Sequence, residues 1–421
     1  MSPVTLSGAD WLDEPGLQAL LAVLNADGEE ARIAGGAVRN ALLGQPVTDV
    51  DIATTTPPDE TTRRAEAAGF KVVPTGYEHG TVTVVAKGKP YEVTTLRADV
   101  ETDGRRARVV FGRAWESDAQ RRDFTINGLY ATADGTVVDL VGGLEDLRAG
   151  NLRFIGDAET RIREDFLRIL RFFRFFAWYG AGRPDAEGLK ACARLKEGLA
   201  RLSAERVWSE LKKLLSAPDP GRALLWMRTT NVLGILLPET EKWGIDAIPS
   251  LVETEQALGW RPDPLLRLAA MIRPDVQRVR GLASRLRLSR AETAALLAWA
   301  EAPLPDPASS QSDFARLLYR SDATGIETRL RLALAAARAS TDEKAQGAAE
   351  GFRRLLDILA GWERPIMPVK GRDLLAGGHA PGAELGALLS RLEDAWVDSG
   401  FTLTRQALLE MAGKPAQKKR N

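Results

Sequence analysis

Short segments in which hydrophobic and polar residues alternate occupy the first third of the chain. Thr81–Ala86, Tyr91–Leu96 and Thr136–Leu140 are rich in β-branched residues, and Glu30–Ala34 has the character of a further short strand. Alternation over about four to eight residues is typical of strands with one buried face. We therefore predict a mixed sheet with a few helices within residues 1–150.

From about residue 157 onward, the sequence takes on helical character. Leucine, alanine, arginine and glutamate dominate this part, and prolines such as Pro218, Pro238 and Pro262 divide it into segments. Proline interrupts helices because it lacks an N–H donor and clashes with the preceding turn. The pattern predicts an α+β protein in which an N-terminal mixed-sheet head precedes an extended all-α remainder.

One helical segment, Arg161–Phe176, is apolar on most faces but carries a polar stripe. Asp165, Arg168, Arg171 and Arg174 recur every three residues along it. We predict one continuous, buried helix, and a buried arginine needs a partner. Two interpretations stay open: the stripe binds a nucleotide, or Asp165 and Arg168 form an ion pair inside a helical bundle.

Composition narrows the class of protein. The 421 residues are 44% hydrophobic and 27% charged, enough for two to four domains. No apolar run approaches the length of a membrane span and no signal-peptide layout is present, so we expect no membrane association. The single cysteine, Cys192, excludes an internal disulfide framework, favours a cytoplasmic location and is predicted to be a buried packing residue.

The balance of charge is neutral overall but uneven along the chain. The net charge is +0, yet arginines cluster within residues 105–122 and 161–174. Nucleic-acid binding needs only a local basic surface, although most such runs are solvated faces. The two histidines and one cysteine make a zinc site built from those ligands unexpected.

The most specific chemistry lies in the segment from Gly35 to Asp51. Gly35 and Gly36 fall between a predicted strand and a predicted helix at Val38–Leu43. Glycines there let the backbone approach a phosphate, and the helix N-terminus offers free N–H donors. We therefore predict a triphosphate site at the glycine pair, with a charge-assisted contact from Arg39.

Two aspartates follow at the spacing that a metal site requires. On a predicted strand at Thr48–Ala53, Asp49 and Asp51 project to one face. Carboxylate oxygens suit Mg²⁺, which can neutralise triphosphate charge and activate a hydroxyl in a two-metal displacement. An Asp-x-Asp alone is a weak signal, but next to the glycine pair it indicates a nucleotide-polymerising centre.

A second basic motif lies downstream. Arg121, Arg122 and Asp123 precede an apolar anchor, and arginine can bind phosphate while aspartate accepts a bond from a ribose hydroxyl. The tripeptide is also common at exposed helix N-termini. The preceding segment, Arg97–Arg106, is polar and turn-rich, and we predict a mobile loop there.

The Asp165 and Arg168 pair suggests how a base could be selected. Cytosine and adenine present an amino donor beside a ring-nitrogen acceptor, whereas uracil and guanine present a carbonyl beside an N–H. An aspartate that accepts from the amine and an arginine that donates to the ring nitrogen would select C and A. This selection is a hypothesis that assumes both side chains face the base.

Together these motifs resemble the class II tRNA nucleotidyltransferases, the CCA-adding enzyme and bacterial poly(A) polymerase family of the DNA polymerase β-like superfamily. The resemblance extends from about Ala31 to Glu239 and rests on several unrelated motifs in family order. These are Gly35–Asp51, Arg121–Asn127, Asp139–Leu147, Glu164–Arg168 and Leu202–Leu211.

The resemblance assigns roles to residues of this chain. It implies metal binding by Asp49 and Asp51, with Glu92 a candidate third acidic residue or else a solvent-facing strand residue. It implies nucleotide binding by a larger set: Gly35, Gly36, Arg39, Arg122, Asp123, Asp165, Arg168, Arg171 and Arg174. One departure is Asn40, where the family usually has aspartate.

The resemblance also implies a domain order and a reaction. It predicts a nucleotidyltransferase head at 1–150, a base-recognising neck at 151–220, a body at 221–330 and a tRNA-binding tail at 331–421. The implied activity is template-independent addition of CCA to the tRNA 3′ end from CTP and ATP, with Mg²⁺. No obligate protein partner is expected.

Other activities stay open on the sequence. Poly(A) addition is the nearest alternative, followed by partial CC or A addition, although the segment Asp103–Arg106 favours an enzyme that adds the terminal A. A glycosyltransferase would use its Asp-x-Asp for a nucleotide sugar, and it would not need the polar stripe. A non-catalytic RNA-binding protein would not need both aspartates.

Overall fold

The computed structural model describes residues 3–103, 106–240 and 244–413. The chain divides into two compact units, Met1–Leu236 and Leu237–Asn421. The predicted division into head, neck, body and tail is finer than these units and stays a prediction.

The first unit contains a mixed sheet, as predicted. In β4, buried side chains alternate with partly buried ones, so one face of this strand packs into the core. The strands are β1 (Ala31–Ala34), β2 (Asp51–Thr54), β3 (Lys71–Gly76), β4 (Thr81–Ala86), β5 (Lys89–Thr95), β6 (Arg97–Asp103), β7 (Arg106–Phe111), β8 (Leu129–Ala131) and β9 (Val137–Asp139). Among the described residues, seven of them form one sheet in the order β3-β4-β5-β2-β1-β8-β9.

The centre of this sheet positions the acidic residues of the sequence motifs. β2 pairs with β1 in antiparallel register and with β5 in parallel register. The predicted strand at Thr48–Ala53 was wrong at its start, because β2 begins at Asp51. Ala34 is the last residue of β1 and pairs with Asp51, so the chain before Asp51 has no strand beside it on that side.

The segment Arg97–Arg106 is not the loop that we predicted. Arg97–Asp103 form β6 and Arg106 begins β7, and the two strands pair antiparallel in a separate two-stranded sheet. This ladder supplies backbone partners that the polar sequence did not reveal. Gly104 and Arg105 of the predicted loop lie outside the described residues.

Helices flank the sheet and make up the rest of the first unit. α1 buries one apolar face through Leu17, Leu20, Leu21 and Leu24. The helices are α1 (Pro15–Leu24), α2 (Gly36–Leu42), α3 (Pro58–Ala67), α4 (Trp115–Gln120), α5 (Gly143–Ala149), α6 (Ala158–Glu164), α7 (Leu167–Tyr179), α8 (Ala186–Leu195), α9 (Ala204–Leu215), α10 (Gly221–Thr229) and α11 (Val232–Leu236).

The single helix predicted over Arg161–Phe176 is two helices, α6 and α7. Asp165 separates them with an extended backbone, φ −153° and ψ 108°. Its Oδ1 accepts a hydrogen bond from the Leu167 N–H at 3.1 Å, which caps the start of α7. Short aspartate side chains compete with helix continuation in this way. The phenylalanines of α7 are buried core residues.

The second unit is helical throughout its described part. Its helices are α12 (Ile248–Leu258), α13 (Pro264–Met271), α14 (Val276–Leu286), α15 (Arg290–Glu301), α16 (Gln311–Arg320), α17 (Ala323–Ala339), α18 (Glu343–Ala360), α19 (Gly371–Ala376), α20 (Ala383–Asp398) and α21 (Arg405–Ala412). Phe314, Leu318 and Leu330 belong to one core, and Tyr319, Leu392 and Trp396 to another. In the described part of the chain, no helix has the length and apolar character that crossing a membrane requires.

Candidate active site

A cavity of about 610 Å³ in the first unit collects most of the predicted site residues. The β2 and β5 strands form one wall, and α7 with the start of α9 forms another. Ten of the predicted residues line it: Gly35, Gly36, Arg39, Asp51, Glu92, Arg122, Asp123, Asp165, Arg168 and Arg171. Asp49 and Arg174 are not among the lining residues.

The turn after β1 requires glycine. Gly35 has φ +63°, which a residue with a Cβ adopts at a cost, and its N–H donates to the Leu129 carbonyl at 2.8 Å. A Cβ on Gly35 would lie 3.2 Å from Arg122 Nη1 and 3.3 Å from the Asn127 carbonyl. Gly36 begins α2, so the glycine pair brings backbone to the cavity wall.

Two carboxylates lie side by side on the paired strands β2 and β5. Asp51 and Glu92 are register partners in the parallel ladder, and both line the cavity. Enclosure in the cavity raises the pKa of Asp51, and the Glu92 carboxylate beside it raises this pKa further. Within the described residues, neither forms an ion pair with a cationic side chain.

Asp49 lies just outside this pair. It precedes β2, is exposed, and accepts a hydrogen bond from the Thr48 hydroxyl at 3.1 Å. Its charge nevertheless contributes to the raised pKa of Asp51. The two aspartates are therefore electrostatic neighbours, although they do not share a face of one strand.

The donor set suits a hard cation. Among the described residues, no three His, Cys, Asp or Glu side chains are grouped so as to hold a metal ion as they stand. Asp51 and Glu92 are close like charges, the Arg122 guanidinium offsets the charge of Asp51 only in part, and Asp49 is near enough to add to the repulsion. A divalent cation ligated by carboxylate oxygens relieves that repulsion.

Arg39 lies in α2 and is buried against α7. Its guanidinium donates to Asn127 Oδ1, to Asn40 Oδ1 at 2.9 Å, and to the Tyr179 hydroxyl at 2.9 Å. The guanidinium carbon also lies 4.2 Å from the centre of the Tyr179 ring. Burial lowers the pKa of Arg39. Asn40, which replaces the usual family aspartate, orients Arg39 without adding a charge.

Asp118 holds the two arginines of the Arg-Arg-Asp motif. Its carboxylate pairs with Arg121 and with Arg122, the latter at 3.1 Å, and accepts from the Tyr130 hydroxyl at 2.7 Å. Burial opposes ionisation of Asp118, but Arg122 and Arg121 outweigh it and lower its pKa. The motif arginines are thus fixed in place by a residue within the preceding helix, α4.

Asp123 connects the same motif to α7. Its carboxylate accepts from Arg171 Nε at 2.7 Å and from the Asn127 amide at 2.9 Å. Burial disfavours the charged form, but the Arg171 guanidinium outweighs burial and lowers the pKa of Asp123. Asp123 therefore anchors Arg171, and its carboxylate is already engaged within the protein.

The other arginines of α7 are also paired. Arg174 Nε lies 2.7 Å from the buried Glu210 carboxylate of α9, and Arg168 pairs with Glu164 and donates to the Arg161 carbonyl at 2.7 Å. The ion pair between Asp165 and Arg168 that the sequence left open is not formed. Asp165 instead pairs with Arg206 of α9 at 2.7 Å.

Several residues of this site were assigned no individual role from the sequence. They are Asp118, Asn127, Tyr179, Arg206 and Glu210. Asp118 lies three and four residues before the arginines it binds, a spacing that was visible in the sequence. Tyr179 and Glu210 contact the site only because distant segments pack together, so no local signal marks them.

Two family models match the chain. The one described as "Poly A polymerase head domain" matches residues 31–153, which contain the sheet and the acidic pair. The one described as "Probable RNA and SrmB- binding site of polymerase A" matches residues 183–243.

Similar proteins cover nearly the whole chain. "CCA tRNA nucleotidyltransferase 1, mitochondrial" of Danio rerio is 36% identical, over 94% of this chain and 89% of that protein. The "CCA-adding enzyme" of Streptococcus sanguinis is 35% identical, over 90% and 92%. The crystal structure of the Bacillus stearothermophilus CCA-adding enzyme in complex with CTP superimposes with a TM-score of 0.72 at 28% identity, covering 94% and 96%. The chain belongs to the family of CCA-adding enzymes, the CCA tRNA nucleotidyltransferases.

Proposed function

We propose that this protein adds C, C and A to the 3′ end of tRNA, using CTP and ATP without a nucleic-acid template. One observation carries the proposal: a single cavity brings the Asp51 and Glu92 carboxylates together with the arginines and Asp165 of the neck. The carboxylates suit the reacting phosphate and its metal, and the neck side chains suit the base.

The family's chemistry implies a divalent metal, and we propose Mg²⁺ held by Asp49 and Asp51, with Glu92 as the further acidic residue. When bound, the metal offsets triphosphate charge and favours loss of the proton from the attacking 3′ hydroxyl. Asp51 and Glu92 supply the negative surface that draws the cation, and their mutual repulsion in its absence supports this assignment.

We propose that the glycine turn and the arginines around it bind the triphosphate. Gly35 and Gly36 leave room for phosphate oxygens near the backbone, and Arg122 lies beside them. Arg39 stabilises this end of the cavity from a buried position. Because Asp118 already orients Arg122, little side-chain entropy is lost when phosphate binds.

We propose that Asp165 and Arg168 recognise the base. Asp165 accepts from the exocyclic amine of cytosine or adenine, and Arg168 donates to the adjacent ring nitrogen. Asp123, Arg171 and Arg174 support the nucleotide from the same wall. The pair with Glu164 holds Arg168 at the cavity.

The proposed division of labour places catalysis in residues 1–150, base recognition in 151–220, and RNA binding in the body, 221–330, and the tail, 331–421. We propose a cytoplasmic location because the single cysteine, Cys192, is buried and forms no disulfide. Poly(A) addition is the second candidate, favoured by the description of the family model that matches the head.

The test supplies a tRNA transcript that lacks its 3′ CCA with Mg²⁺ and CTP, ATP or both, and sequences the products. We expect CC with CTP alone and one further A when both are present. Long A tails without C would establish poly(A) addition instead. The double variant D49A/D51A should abolish addition while tRNA binding, measured by filter retention, persists.

A further inference from the structure

Arg206 forms a contact that the activity assigned so far does not explain. Its guanidinium reaches from α9 to the Asp165 carboxylate, with Nη2 2.7 Å from Oδ2. The other oxygen of Asp165 accepts from the Leu167 N–H at 3.1 Å. Asp165 is therefore held by one donor from its own turn and one from a different helix.

The position of Arg206 is not explained by helix stability. It lies in the first turn of α9, where Ser203 caps the helix and accepts from the Arg206 N–H at 3.4 Å. A positive charge in the first turn opposes the helix dipole, and glutamate or glutamine is the residue that completes a capping box there. A local cost of this kind is expected where a side chain serves a site.

The pair contributes little to overall stability either. The side chains of Arg206 and Asp165 are 49% and 36% exposed, and ion pairs this open add little to folding. Both residues line the cavity. Contact with the cavity, rather than with the core, is thus what distinguishes this pair from the buried pair of Arg174 and Glu210.

We propose that Arg206 is a positioning residue that sets base selectivity by fixing the orientation of the Asp165 carboxylate. The proposal rests on the function proposed above. A carboxylate can accept about four hydrogen bonds, and two are used by Arg206 and Leu167. The remaining capacity points to a donor, which the amino group of C or A supplies and the carbonyl of U or G does not.

Loss of Arg206 removes the stronger of the two bonds that orient Asp165. The carboxylate then rotates, and its repulsion of a uracil carbonyl weakens together with its attraction for a cytosine amine. We therefore expect kcat/KM for CTP to fall more than that for UTP, chiefly through KM for CTP.

The experiment measures kcat/KM for CTP and UTP on a tRNA transcript lacking CCA, with the wild type, R206A, R206K and R206Q. We expect the CTP-to-UTP ratio to fall by about tenfold or more in R206A and R206Q, the scale of one charge-assisted hydrogen bond. R206K should restore part of it. The matched control is R194A, because Arg194 makes an exposed pair with Glu159 at 2.8 Å elsewhere in the neck and should leave the ratio unchanged.

A double-mutant cycle distinguishes positioning from a general effect. In a D165A background, the further change R206A should leave the ratio as it is, since Arg206 acts through Asp165. A uniform fall for both nucleotides with an unchanged ratio would overturn the proposal and make Arg206 structural. If the wild type itself adds no C, the function proposed above fails, and that outcome is distinguishable from failure of the role of Arg206.

Discussion

The two walls of the cavity differ in how their charges are satisfied. On the sheet wall, formed by β2 and β5, Asp51 and Glu92 are adjacent like charges. Within the described residues neither forms an ion pair, although Arg122 nearby partly offsets the charge of Asp51. On the opposite wall, formed by α7 and the start of α9 and called the neck wall here, Arg168 and Arg171 are each bound to a carboxylate. The sheet wall therefore needs a ligand to complete it, whereas the neck wall is organised before any ligand arrives.

The difference has opposite consequences for stability and for chemistry. Close like charges destabilise the folded protein. A bound cation removes this repulsion, and the relief contributes to the affinity for the cation. Paired arginines stabilise the folded protein, and they lose little side-chain entropy when a nucleotide binds. Substitutions on the sheet wall should thus affect catalysis without destabilising the fold, and substitutions on the neck wall should affect both.

Neutralising the sheet wall should give the largest effect. For D51N we expect kcat to fall by about a thousandfold or more, since metal-ion catalysis contributes several kcal/mol and about 1.4 kcal/mol is tenfold. The free energy of unfolding should stay the same or rise, because one of two like charges is removed. Single-turnover addition and urea denaturation measure the two quantities. A marked loss of stability in D51N would contradict the comparison.

Breaking a pair on the neck wall should cost stability instead. R171M leaves the buried Asp123 carboxylate without its guanidinium, and we expect the free energy of unfolding to fall by about 3–5 kcal/mol. Urea denaturation is the measurement. R163M is the matched control, since Arg163 pairs with Glu159 at 3.6 Å on an exposed face and should change stability little. Equal stability of the two variants would show that the neck wall is not preorganised by its pairs.

The same pair predicts how stability depends on pH. The pKa of Asp123 is lowered in the folded state, so its contribution is complete above about pH 4, the ordinary value for aspartate, and is lost as pH falls through the lowered pKa. D123N should be less stable at neutral pH and should lose less stability on acidification. Thermal unfolding of both proteins from pH 7 to pH 3 tests this, and parallel curves would contradict it.

The smallest effect on stability and activity should come from adding a charge at Asn40, whose hydrogen-bond partners are already satisfied. In N40D, a carboxylate would replace the amide oxygen that accepts from Arg39. We expect the free energy of unfolding to rise by less than about 1.5 kcal/mol, the increment of a hydrogen bond to a charged group. The KM for CTP should change by less than about threefold. A large loss of activity would show that neutrality at this position is required.

The sequence predicted the parts of this molecule that depend on local pattern. The strands β4 and β5 follow from alternation, and the turn at Gly35 follows from the glycine pair between two elements. The break at Asp165 did not, because apolar periodicity continues through it and the capping bond depends on a backbone change. The start of β2 at Asp51 is set by where β1 ends, which periodicity within β2 does not report.

The sequence also did not reveal which residues pair with each other across the cavity. That Asp165 binds Arg206 rather than Arg168 depends on how α9 packs against α7, and a single sequence does not show this. Both residues were in motifs noted for their resemblance to the family, yet the contact between them is a tertiary fact. Ion-pair assignments from spacing along one helix fail when the helix is interrupted between the two residues.

The lone cysteine has a practical consequence. Cys192 is 0% exposed, and burial raises the pKa of its thiol well above the usual range. A thiol in that state reacts slowly with maleimides. The natural chain is therefore a ready background for labelling: one cysteine introduced on an exposed helix face would carry a fluorophore at a single known position, without first removing any native residue.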